Sequence, residues 1–175
     1  MESGGIFGPK MSGKTTLAKR VSLEYWQRFK MASLVLDPNG EQWGQQAKVF
    51  TDEKTFWEAV WGAKQGYMVI VDESTETIAR DKTLIPVFTR LRHHHHKLIV
   101  IGHHGMNLLP IMRDQLDAIY LFRQSLKAAQ MWGENFTVPD PTTGKNLVDL
   151  ATRLNQYEFV HATVYTGPKV YRLKI

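Results

Sequence analysis

The run Gly8-Pro9-Lys10-Met11-Ser12-Gly13-Lys14-Thr15 constrains the amino-terminal part of this chain more than any other feature. It matches G-x-x-x-x-G-K-T, a loop whose successive backbone N–H groups turn inward around phosphate oxygens. Gly8 and Gly13 supply backbone angles that L-residues resist. Lys14 offers a cation to the β- and γ-phosphates, and the Thr15 hydroxyl is placed to ligate Mg²⁺. A helix starting near Gly13, with Thr16 in its first turn, adds the positive end of its dipole. Residues Gly8 to Thr16 are therefore expected to hold a nucleoside triphosphate.

The context fits that loop. Gly4-Gly5-Ile6-Phe7 is a short strand leading into it, and Leu17, Val21, Tyr25 and Phe29 recur every four residues behind it as one helical stripe. Met31–Leu36 reads as a buried strand closed by the turn Asp37-Pro38-Asn39-Gly40, and Lys48–Phe50 as another short strand. Asp52 is placed to cap a helix through Phe56, Trp57, Val60 and Trp61, stopped by Gly66. Tyr67–Val71 and Leu98–Ile101 are continuous apolar runs, the pattern of parallel strands covered on both faces. A helix is expected from Leu84 to His94, with Leu84, Val87, Phe88 and Leu91 inward, and a further strand from Leu116 to Phe122.

Such βα alternation predicts an α/β fold, a mostly parallel sheet flanked by helices. Residues 4–123 form the expected core of a single domain spanning 1–175, and 124–175 an extension. That extension is read as helices at Leu126–Trp132 and Lys145–Leu154, then a hairpin of Glu158–Tyr165 with Val170–Ile175.

Asp72-Glu73 follows the run Tyr67–Val71 directly. A buried strand delivers acids to its carboxyl end, where ligands of parallel sheets sit. Asp72 is the expected Mg²⁺ holder and Glu73 the residue that orients the attacking water. The pair points to ATP hydrolysis. If the strand Leu98–Ile101 lies between the phosphate-loop strand and the Asp72 strand, His103 at its tip faces the γ-phosphate as a sensor.

Arg90, Arg92 and His93 to His96 crowd one helix end. Consecutive histidines fan around a helix instead of converging on a metal. An arginine there can be offered to a neighbouring subunit's nucleotide, where its planar fork suits developing phosphate charge. Arg92 is the first choice for that role, followed by Arg90 and Arg113. The five tryptophans are assigned to core or subunit contacts, mostly on helical stripes.

Zero cysteines exclude disulfides and thiolate metal sites, and the formal net charge of +5 favours a polyanionic partner. There is no run of 18 apolar residues and no basic-then-apolar leader, so neither a membrane span nor a secretory signal is expected. A guanine-reading N-K-x-D motif is missing. Met106–Arg113 is too short and apolar for the lid of a small-molecule kinase.

With these motifs, Thr89-Arg90-Leu91-Arg92-His93-His94 followed by Leu98–His103 resembles the FtsK–HerA superfamily of DNA-pumping P-loop ATPases. Asn107-Leu108-Leu109-Pro110, Arg113 and Leu116-Asp117 look most like its viral branch, the genome-packaging ATPases of tailless icosahedral viruses with an internal membrane. The superfamily's sensor is more often glutamine; here the position holds His103. The resemblance implies a RecA-like P-loop fold and a homo-oligomeric ring hydrolysing ATP with Mg²⁺ while double-stranded DNA threads its pore. It also implies capsid or portal-vertex partners and residence in host cytoplasm or virion. Arg80, Lys82, Arg123 and Lys127 become candidate DNA contacts. Phage-extrusion and conjugation motors are the alternative within the group, a small-molecule kinase the one outside it.

Overall fold

The computed structural model describes residues 3–73 and 82–174. Arg80 lies outside the described residues. The strands are β1 (Ser3–Phe7), β2 (Ser33–Leu36), β3 (Ala47–Phe50), β4 (Met68–Val71), β5 (Lys97–Gly102), β6 (Ala118–Phe122), β7 (Glu158–Thr163) and β8 (Lys169–Arg172). They form one eight-stranded sheet in the order β3-β2-β4-β5-β1-β6-β7-β8. The pairings among β1 to β6 are parallel, and β7 and β8 join antiparallel. The C-terminal hairpin thus continues the main sheet through β6.

The apolar runs are explained by two-sided burial. On β4, Met68 and Ile70 face one side, Val69 and Val71 the other, and Ile99 and Ile101 alternate likewise with Leu98 and Val100 on β5. Helix α1 (Lys14–Phe29) covers the first side with Leu17, Ala18 and Val21. The opposite side is covered by α2 (Glu53–Trp61), α3 (Ile85–Arg90), α5 (Leu126–Asn135) and α6 (Leu147–Ala151), through Phe56, Phe88, Trp132 and Leu147 among others. Each fully buried aliphatic or aromatic side chain contributes about 1.5–3 kcal/mol. No helix among the described residues is long and apolar enough to cross a membrane.

Several boundaries differ from the sequence reading. The α1 stripe ends early: Phe29, the last residue of the helix, is 64% exposed. Helix α2 has the expected Asp52 cap, accepting from the Thr55 N–H at 2.8 Å, but stops at Gly62. Gly66 is required for another reason: a Cβ there would lie 2.3 Å from the His95 carbonyl oxygen. The helix expected from Leu84 to His94 is only Ile85–Arg90, flanked by 3-10 turns at Lys82–Leu84 and Leu91–His94. Pro86 in its first turn and left-handed His95 (φ 59°) bound that segment. Helix α5 runs three residues past Trp132, and α6 is confined to Leu147–Ala151 by its Asn146 cap. Helix α4 is the short Pro110–Arg113.

Trp43 sits in a loop after β2, not on a helix, and is buried, as is Trp132, whereas Trp26 and Trp61 remain well exposed. His96 is also buried. Its Nδ1 accepts from the Tyr67 N–H at 3.0 Å, leaving Nε2 to donate to the Val60 carbonyl at 3.2 Å. Burial holds its pKa below the usual value, so the ring is a neutral staple between β4, α2 and β5.

Candidate functional site

Because β5 lies between β1 and β4, three strand ends converge on the phosphate loop. The register pairs Phe7 with Gly102 and Val71 with Val100, and the Gly8 N–H donates to the Gly102 carbonyl at 3.2 Å. The condition set for His103 is met: it leaves the inserted strand beside the loop. A cleft of about 540 Å³ opens there, and Lys10, Lys14, Thr15, Thr16, Glu73 and His103 are among the residues lining it.

Gly13 adopts φ 99°, a backbone closed to most L-residues. Gly8 has no such angle and is needed for space, since a Cβ would meet the Phe122 Cβ at 2.5 Å and the Ser12 hydroxyl at 2.9 Å. That corrects the shared reason assigned to the two glycines. Met11, also left-handed at φ 58°, projects into solvent with 87% exposure. Behind the loop, the C-terminal segment packs Leu173 and Tyr157 against Gly13.

Lys14 is buried and its Nζ donates to the Pro9 carbonyl at 2.9 Å. Burial pushes its pKa down, opposed by the charges of Glu73 and Asp72. A polyanion in the cleft would take over the proton donors that Pro9 now occupies. Beside Lys14, Thr15 Oγ1 donates to the buried Asp72 Oδ2 at 2.9 Å. Two neighbouring ligands of an octahedral Mg²⁺ at about 2.0–2.1 Å stand roughly 2.9 Å apart, so this pair fits that ion. The Asp72 Oδ1 accepts from the Glu73 N–H at 2.8 Å.

Burial pushes the Asp72 pKa up, against these two hydrogen bonds, with Asp37 and Glu73 charges adding to the rise. A folded-state pKa above the unfolded value means the ionised side chain destabilises the native state once pH exceeds about the usual 3.8. Asp72→Asn is therefore expected to raise the melting temperature of nucleotide-free protein at pH 7 by about 2–4 °C, the size common for relieving a destabilised functional-site residue in a chain of this length. The gain should shrink as pH falls toward 3.8. A gain that does not vary with pH would locate its cause elsewhere.

Glu73 occupies a left-handed backbone (φ 50°), a strain that accumulates where side-chain aim matters. Its Oε2 lies 3.6 Å from His103 Nε2. Carboxylate and imidazole thus stand together in the cleft that Lys14 and Thr15 line.

Two residues in the cleft wall were missed in the sequence: Asn39 and Glu41, in the loop after β2. The signal was available, since Asp37 follows the buried Leu34–Leu36 run just as Asp72 follows Val71. Arg92, in contrast, is exposed and borders a small cavity with Ser3 and Asp117, where β1 and β6 begin. It is at the end of the sheet opposite the cleft. Arg90 is exposed, and Arg113 Nη1 reaches Met131 Sδ at 3.0 Å. Of the proposed DNA contacts, Lys82, Arg123 and Lys127 are all exposed. His93, His94 and His95 are exposed at the end of the Leu91–His94 turn.

No protein-family model matches this sequence, and no curated protein matches it. Among solved structures, the chain is similar to the genome packaging NTPase B204 from Sulfolobus turreted icosahedral virus 2 in complex with AMPPCP. The TM-score is 0.78 at 18% identity, over 99% of this chain and 98% of that one. The fold is that of a P-loop NTPase. The same P-loop NTPase fold is found in the cytoplasmic domain of the Type VII secretion ATPase EccC of Thermomonospora curvata. There the TM-score is 0.68 at 10% identity, over 98% of this chain and 23% of that one. The N-terminal domain of zonular occludens toxin from Neisseria meningitidis is similar over 99% of this chain and 94% of its own, with TM-score 0.57 at 14% identity. At the level of fold, these P-loop NTPase neighbours agree with the resemblance to the FtsK–HerA superfamily.

Proposed function

We propose that this protein is an ATP-hydrolysing motor of FtsK–HerA type that moves double-stranded DNA, packaging a viral genome into a preformed capsid. The observation that carries the reading is the convergence of Lys14, Thr15, Asp72, Glu73 and His103 on one cleft, made by the insertion of β5 between β1 and β4. The similarity to a viral packaging NTPase over almost the whole of both chains supports the biological role.

In this reading the Gly8–Thr16 backbone cradles the phosphates, Lys14 neutralises the β- and γ-oxygens, and Thr15 with Asp72 holds Mg²⁺. Held by the Thr15 hydroxyl and the Asp72 carboxylate, the ion would supply positive charge against the phosphate oxygens. Glu73 accepts a proton from the attacking water, and His103 donates a hydrogen bond that reports whether the γ-phosphate is present. Arg92 acts in trans: at the far end of its own sheet, it serves a neighbouring subunit's nucleotide in a ring. DNA is gripped by its backbone through exposed basic side chains, so binding is insensitive to sequence and weakens with salt. Capsid or portal-vertex proteins are the remaining partners, met in host cytoplasm and virion.

The similarity to EccC favours one second reading, a secretion-type motor on the same ATPase core. ATP hydrolysis measured with and without duplex DNA separates the two. The packaging reading expects a several-fold stimulation that fades between about 50 and 200 mM salt as counterion release becomes less favourable. No response to DNA at low salt would leave the second reading in its place.

A further inference from the structure

The loop after β2 is built around a buried charge that the chemistry above does not use. Asp37 is 0% exposed at the carboxyl end of β2. An isolated carboxylate in such a place is costly, and it persists only where donors surround it. Three do. The Asn39 N–H donates to Oδ1 at 2.9 Å, and the Glu41 N–H and the Trp43 indole N–H donate to Oδ2, each at 3.0 Å. The Asp37 carbonyl accepts from the Gly40 N–H at 3.0 Å, and the Asp37 N–H reaches the Phe50 carbonyl on β3 at 2.9 Å.

The cage fixes one particular loop shape. Trp43 is 3% exposed within the core on the α1 side. Lys19 of α1 pairs with Glu41 at 2.7 Å and lies over the Trp43 ring, 5.4 Å from its centroid. The loop is therefore tied to the sheet at Asp37, to the core at Trp43 and to the phosphate-loop helix at Glu41. Between these ties Asn39 and Glu41 line the triphosphate cleft. The Asp72 N–H donates to the Leu36 carbonyl at 2.9 Å, so Asp37 and Asp72 leave neighbouring strand ends side by side.

We infer that Asp37 is a positioning residue for the nucleotide. Its caged carboxylate holds the segment 37–44 as the wall of the cleft opposite the phosphate loop, and the Asn39 carboxamide is the group that meets the bound triphosphate. The inference rests on the P-loop NTPase reading of this cleft and adds a nucleotide contact outside its known motifs. An apolar side chain at 37 would spare the burial of a charge but would leave three N–H groups unpaired and the loop unshaped.

The test is a steady-state double-mutant cycle on the full chain. Asp37→Asn replaces one acceptor oxygen by a donor, so at least one of the three N–H groups loses its partner. Asn39→Ala and Asp37→Asn are each expected to raise the KM for ATP about tenfold, the size of one lost polar contact, with kcat changed by less than about twofold. The double variant should show no further rise, because Asp37 acts through Asn39. Trp43→Phe, which removes one donor, follows the same path with a smaller rise and serves if Asp37→Asn does not fold. A lowered melting temperature with unchanged KM would reduce Asp37 to a structural residue, and effects that multiply would separate it from Asn39. Either result overturns the inference while the P-loop reading stands. Failure of the unaltered protein to bind ATP would overturn both.

Discussion

Glu73→Gln should lower the rate of ATP hydrolysis by about 10²–10⁴-fold, the usual contribution of a positioned general base. ATP binding should survive, since the phosphate cradle and Lys14 are untouched. The expectation follows from the placement of Glu73. Its left-handed backbone turns back on Asp72 through the Glu73 N–H bond, and its carboxylate stands 3.6 Å from His103 over the cleft. A carboxamide keeps that shape and its polarity but cannot accept the proton that water must lose. Single-turnover hydrolysis with a parallel binding measurement checks both halves, and turnover at the unaltered rate would remove Glu73 from the role of base. The same variant interrogates Arg92. Arg92→Ala should itself cost about 10³–10⁵ in rate if the guanidinium completes a neighbour's site. Subunits lacking Glu73 as base, mixed with subunits lacking Arg92, should then regain activity at interfaces where one chain supplies Arg92 and the other Glu73. Inactive mixtures that still assemble would move the finger to another arginine.

Lys14→Ala is expected to weaken ATP binding at least a hundredfold, the loss of about 3 kcal/mol when a buried charge partner is removed. Lys14 is buried, and burial lowers its pKa while the acids opposite hold it up. The nucleotide-free protein keeps its Nζ on the Pro9 carbonyl, close to where phosphate oxygens would be received. Removing it leaves the phosphate charges facing Asp72 and Glu73 without the cation that offset their repulsion. Titration with a fluorescent ATP analogue measures this. An affinity within a few fold of the unaltered protein would mean that the nucleotide is held elsewhere.

These expectations draw on parts of the molecule that were legible to different degrees. The phosphate loop and the Val71-Asp72-Glu73 junction were readable because their geometry is local. A loop of eight residues and a strand ending in an acid need only their own backbone to be recognised. The apolar runs of β4 and β5 were readable because strands buried on both faces cannot alternate. The Arg90–His96 region was read less well. Its helical period was genuine in Val87, Phe88 and Leu91, but the helix is broken into turns on either side, and His96 is drawn into the core by bonds to Tyr67 and Val60. Those partners are remote in sequence. Asn39 and Glu41 were hidden for a similar reason: a D-P-N-G turn looks like solvent-facing punctuation until Asp37 is seen buried among its own loop's donors.

What the sequence determined alone was the Gly8–Thr15 loop, the two-sided burial of the central strands and the acid pair at a strand tip. All three depend on short-range backbone preference and hydrophobic periodicity. Only the tertiary structure decided that β5 lies between β1 and β4, that the Asp37 loop walls the cleft and that Arg92 lies at its opposite end. Strand order and loop placement come from pairing between segments far apart in the chain, and local sequence carries no record of which edge each strand will meet.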